Sequence, residues 1–124
     1  MAIVTNAGLA LTVSRLMGSG DEPDYIAWGT GDTAEAASQS ALDNEAAEDR
    51  VQGSSSAVTT DVSNDTYQVV GEMVSESTQA ITEVGLFTAS TSGTMFMRAV
   101  FDEINVDEDD SIEFTIQVQY AQPE

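Results

Sequence analysis

The sequence predicts an all-β fold, an antiparallel β-sandwich or open barrel with one short N-terminal helix, on three observations. Apolar residues recur with period two through most of residues 50–120, as in strands that bury one face. Turn-forming clusters, Asn64-Asp65 and Ser90-Thr91-Ser92-Gly93, separate those runs. A single stretch, residues 6–17, carries helical spacing instead. At 124 residues the whole chain, 1–124, reads as one β-rich domain, with about two thirds of its unfolded surface open to burial.

In the helical stretch, Asn6 is the expected N-cap, Leu9, Val13, Leu16 and Met17 share the helical spacing, and Gly18 marks the stop. Gly18 to Asp24 is a loop in which Pro23 blocks helix continuation. Tyr25 to Trp28 form a compact apolar strand ending at Gly29-Thr30-Gly31. Residues 30–49, rich in Ala, Ser, Asp and Glu, form a long connection with a weak helical stretch around Ala41 to Glu48. Five main strands follow: one holding Val51, Ala57 and Val58, then Tyr67 to Val74, Ile81 to Phe87, Met95 to Phe101, and Ile112 to Tyr120. Met95 and Met97 are expected as core fillers. Asp102 to Asp110 is expected as the connection before the last strand, which turns Glu113, Thr115, Gln117 and Gln119 outward.

Charge is the sharpest compositional signal. The chain holds 22 acidic residues against three cations, Arg15, Arg50 and Arg98, and no lysine, for a net charge of −19. Such a surface repels itself in dilute buffer, where the Debye length is roughly 10 Å at 0.1 M, and much less at 1 M, where it is about 3 Å. The composition therefore points to a salt-rich milieu. Intrinsic disorder, the competing explanation, requires few apolar residues, whereas they make up 41% here and fall in ordered patterns.

The same composition removes whole classes of function. With cysteine and histidine absent, disulfides, thiolate or imidazole metal sites, Ser-His triads and Cys-His pairs are excluded. Direct nucleic-acid binding is disfavoured, because phosphate affinity comes mainly from Lys and Arg. Ala7 to Met17 is too short and too interrupted to span a bilayer, so no membrane association is expected. Nor does it resemble a signal peptide, so the mature chain is expected to start at Met1 or Ala2 and to be made in the cytoplasm.

Four features invite a chemical reading. Gly29-Thr30-Gly31-Asp32-Thr33-Ala34 fits G-x-G-x-x-A after a strand, with Asp49 downstream, yet the chain lacks a β-α-β rhythm. Asp32 and Glu35 would also set negative charge beside a pyrophosphate, so a tight turn needing positive φ at glycine is expected, and no cofactor. Asp107, Asp109 and Asp110 are weak candidates for a hard cation, since they lack the D-x-D-x-D-G spacing of a calcium loop. Asn64-Asp65-Thr66 is an N-x-T sequon, making Asn64 a possible glycosylation site. Paired carboxylates for glycoside chemistry are not singled out by any spacing, and aromatic residues at 6% leave little for a sugar platform. No catalytic residue is assigned.

Three stretches carry a family resemblance. They are Val4 to Leu9 with its helix; Tyr25 to Gly31 with Ala41-Leu42-Asp43-Asn44-Glu45 and Arg50; and Ile81-Thr82-Glu83-Val84-Gly85-Leu86-Phe87 with Met97 to Phe101. Together, from about residue 3 to 120, they resemble small structural proteins of tailed viruses, and the acidity resembles that of viruses infecting salt-loving archaea. The resemblance implies a non-enzymatic virion component made in the host cytoplasm. It implies a homo-oligomer, trimer or pentamer, in contact with other virion proteins such as major capsid or tail proteins. A head decoration or turret subunit is the first expectation, and a tail fibre, collar or baseplate subunit the alternative. An acidic carbohydrate- or calcium-binding module is the third. Glu83 between apolar neighbours, with the scarce cations Arg50 and Arg98, is expected to form a buried or interfacial ion pair.

Overall fold

A computed structural model describes residues 2–123. Eight strands and one helix follow in the order β1 (Ala2–Val4), α1 (Asn6–Leu16), β2 (Tyr25–Gly29), β3 (Val51–Gln52), β4 (Ser54–Val58), β5 (Thr66–Val74), β6 (Gln79–Phe87), β7 (Met95–Val106) and β8 (Ser111–Gln119). They form two antiparallel sheets, one ordered β1-β7-β6-β2-β3 and the other β4-β5-β8. The all-β sandwich with one N-terminal helix is therefore the architecture of the chain.

The sandwich core comes from alternation on facing strands. In the small sheet, Tyr67, Val69, Gly71 and Met73 stand opposite Val118, Ile116, Phe114 and Ile112 and turn inward. Ile26 and Trp28 of β2, opposite Leu86 and Val84 of β6, meet them from the large sheet. Trp28 and Phe114 touch edge to face with ring centroids 6.3 Å apart. Glu113, Thr115, Gln117 and Gln119 face outward. The chain switches sheets at Gly53, where a Cβ would stand 2.9 Å from the Val70 carbonyl oxygen, closer than side chains approach backbone.

Three local expectations are corrected. The N-cap is Thr5 rather than Asn6: its hydroxyl accepts from the Gly8 amide at 2.9 Å and donates to the Met95 carbonyl at 2.6 Å, tying the helix to β7. Asp102 to Val106 continue β7 instead of forming a connection, because Gln79 to Ile81 pair with Ile104 to Val106 and supply the missing ladder bonds. The stretch Ala41 to Glu48 is not helical; its residues are spent on contacts to the large sheet. Met95 and Met97 are both buried core residues, as expected, and fill separate clusters because the register shifts beside Met95.

The helix packs through its small face and turns its apolar stripe outward. Gly8 and Leu11 are its buried residues, and a Cβ at Gly8 would collide with the Phe96 backbone. That close approach fixes the rotation of α1 and leaves Leu9, Val13, Leu16 and Met17 in solvent.

Candidate functional site

Around β2, β6 and the first half of β7 the large sheet is covered on both faces: one by the small sheet, the other by residues 30–49. That second layer holds no helix and a single isolated bridge, between Gly29 and Glu45. Ala46 donates to the Trp28 carbonyl and Thr30 to the Asn44 carbonyl, both at 3.0 Å, so 44–46 run beside β2 as an extension of the β3 edge. Leu42 packs into Ala27, Phe87 and Met95.

A buried carboxylate organises this layer. Glu83, on the outer face of β6, accepts the Gly31 and Asn44 amides on Oε2 at 2.9 and 2.7 Å, and the Asp43 amide on Oε1 at 2.8 Å. Arg98 Nε, from the neighbouring strand, donates to Oε1 at 2.8 Å, and both side chains are fully buried. The guanidinium continues into the layer, donating from Nη1 to the Thr33 carbonyl at 2.9 Å and to Gln39 Oε1 at 3.2 Å. Arg98 Nη2 is the one buried side-chain polar atom among the described residues without a hydrogen bond. Beside it, the Thr33 hydroxyl, 2.6 Å from Asp43 Oδ2, holds the Asp43 carboxyl below its usual range, and the Arg98 charge adds to this.

The other two charged clips work at the edge of the layer. Arg50 does not meet Glu83. It makes a two-pronged pair with Glu45, Nε to Oε2 at 2.9 Å and Nη2 to Oε1 at 3.0 Å, and lies 3.7 Å over the Phe87 ring. Its Nη1 reaches the carbonyls of Ala89 and Ser92, closing the β6–β7 turn against the layer. Glu48, absent from the sequence-based candidates, anchors the far end. It accepts Trp28 Nε1 at 3.0 Å, the Glu76 amide at 2.8 Å and Gln79 Nε2 at 2.7 Å. Burial pushes its carboxyl up, but these hydrogen bonds outweigh burial and leave it below the usual range. Nothing in the acid-rich run Glu45 to Asp49 marks Glu48 apart; its separation from Trp28 by a loop is the reason.

The G-T-G stretch has a structural task. Gly29 and Gly31 have no positive φ, contrary to the turn expected there; positive φ occurs at Gly18, Gly20 and Gly93. Close approach is what requires glycine: a Cβ would stand 2.5 Å from Glu83 Oε2 at Gly29 and 2.7 Å at Gly31. The Gly31 amide that a phosphate would need is taken by Glu83, and no helix opens on this loop.

The remaining candidates lie apart. Asp107, Asp109 and Asp110 form the β7–β8 turn, with Asp110 Oδ2 accepting the Asp107 amide at 2.8 Å and Asp109 at φ 72°. No group of three or more acidic side chains among the described residues is placed to hold a metal ion. Asn64 is exposed in a turn at φ 60°, while the sequon threonine, Thr66, is buried and bonded to Asp65 and Thr60. No helix among the described residues is long and apolar enough to cross a membrane.

Two openings are apolar. One of about 330 Å³ lies beside α1, between Leu11, Tyr67, Phe96 and Tyr120. Another of about 670 Å³ runs between the edges of β7 and β8, along Met97, Phe101, Ile104 and Phe114. Comparison with protein-family models, curated proteins and solved structures gives no match to this chain.

Proposed function

We propose that this chain is a non-enzymatic structural subunit of a virion working in a salt-rich milieu, a head decoration or turret subunit that assembles as a trimer or pentamer. The observation that carries the reading is where the virus-like stretches meet. Gly29, Gly31, Asp43 and Asn44 of the second stretch and Glu83 and Arg98 of the third all converge on one internal lock. A motif set used for holding a surface layer rigid suits a protein whose product is a shape. The scarce cations agree: Arg98 and Arg50 both clip that layer, and Arg15 ties the loop after the helix back to its last turn through the Gly20 carbonyl at 2.9 Å.

The test is immunogold labelling of particles from the cells that make this chain, with antibody raised against the purified protein. Label over the capsid shell is the expected result. Label confined to tails would favour the fibre, collar or baseplate alternative. Label on no particle would contradict the virion reading.

A further inference from the structure

We propose that the outward face of α1 is the surface on which a second copy of this chain docks. The inference rests on the assembling-subunit reading above and assigns its contact. Leu9, Val13, Leu16 and Met17 form one stripe, 59, 56, 83 and 79% exposed. Four large apolar side chains within nine residues form a patch of the kind that marks an interaction surface. The 330 Å³ groove opens directly beside them, and Leu16 sits on its rim. Tyr120, half exposed with its hydroxyl 2.9 Å from Thr12 Oγ1, extends the patch onto the end of β8. Protruding side chains and a receiving groove thus lie side by side as two distinct patches, so the stripe of one copy can enter the groove of the next, the head-to-tail contact that closes a ring of three or five.

Charge selects the occupant. All 22 acidic residues follow position 20, so α1 carries no carboxylate, and Arg15 is its only charge. Two copies, each at −19, set carboxylate against carboxylate in almost any other approach. The single carboxylate at the groove, Glu22, accepts the Tyr67 hydroxyl at 3.0 Å and shares the groove wall with Arg15. A basic partner, drawn by charge, would settle on the acidic flanks instead of the one face that lacks them. The acid-free stripe fits a body that is itself acidic elsewhere, and a second copy is that body.

The experiment compares native mass at about 2 M salt, where screening is short-ranged, for three full-length proteins: the unaltered chain, the double variant Leu16→Glu with Met17→Glu, and Ile104→Glu in the other groove. The unaltered chain and Ile104→Glu are expected as the same closed oligomer. The helix variant is expected to fall to monomer with unchanged circular dichroism, its dissociation constant raised by about 30-fold or more, the scale of one interfacial hot spot. An oligomer whose mass survives the helix variant overturns this inference and leaves the assembling-subunit reading standing. An unaltered chain that is monomeric overturns both. If that monomer co-sediments with phosphatidylcholine vesicles, and the helix variant does not, the stripe belongs to a lipid surface.

Discussion

Glu83 and Arg98 meet at 2.8 Å on the face of the large sheet that points away from the sandwich core, and both are sealed from water. Neighbouring strands place them there, since Glu83 stands opposite Val100 and Gly85 opposite Arg98 in the β6–β7 ladder. At Gly85 a Cβ would stand 3.0 Å from the Leu42 side chain, so the missing side chain leaves room for Leu42 against the sheet. The carboxylate then collects three amides from residues 31, 43 and 44, and so converts a long irregular segment into a third layer.

Breaking this pair should therefore release the layer. Arg98→Met leaves a buried carboxylate without its cation and is expected to cost about 3–5 kcal/mol. Thermolysin should then cut within residues 30–49. Asp109→Ala removes one acid among 22 and a left-handed preference, and should cost about 1 kcal/mol. Urea unfolding of both variants at constant high salt checks this; equal, small losses would remove Arg98 from its central place.

The glycines around the carboxylate should resist even a methyl group. Gly31→Ala sets a Cβ against Glu83 and is expected to destabilise by about 1–3 kcal/mol through overcrowding. Gly18→Ala meets no atom within 4 Å and only a left-handed φ, so about 1 kcal/mol is expected. Melting temperatures of the two variants should rank in that order.

Acid should unlock the layer through Glu48. Its folded carboxyl ionises below the unfolded value of about 4.3, so its contribution is present above that pH and lost as pH falls through the folded value. Asp65, half-buried in the β4–β5 connection, behaves likewise, because the Val62 and Thr60 amides hold it well below its usual range. Stability measured at high salt, where self-repulsion is screened, should fall from about pH 5 downward. Glu48→Gln should flatten that fall; an unchanged slope would contradict the role given to Glu48.

Salt dependence should have a local component. Glu72 and Glu113 stand directly opposite on the outer face of the small sheet. Like charges so placed are destabilising, on the scale of about 0.2–1 kcal/mol. Glu113→Gln should raise the melting temperature at about 20 mM salt and leave it nearly unchanged at about 2 M. A gain of equal size at both would show that charge is not the cause.

The strands were legible where one face is buried, as in β5 and β8, because alternation records a single wet side. The ion pair was legible because Arg98 and Glu83 are exceptions: a cation in an acidic chain, a carboxylate among apolar neighbours. Two things were not legible. The three-residue strand β1 is too short to carry a period, and the extension of β7 through Asp102-Glu103 is acidic in sequence but held by its ladder with β6. The rotation of α1 was not legible either, because Gly8 has no hydrophobic signal, although its lack of a side chain lets the helix close onto Phe96. Residues that pack by being small leave the larger ones outside.

Those outward side chains lead to the central claim, that this chain is an assembling subunit. Sedimentation equilibrium of the unaltered protein at about 2 M salt tests it most directly. A single closed species of three or five copies, stable on dilution, is the predicted result; a monomer at every concentration would contradict it.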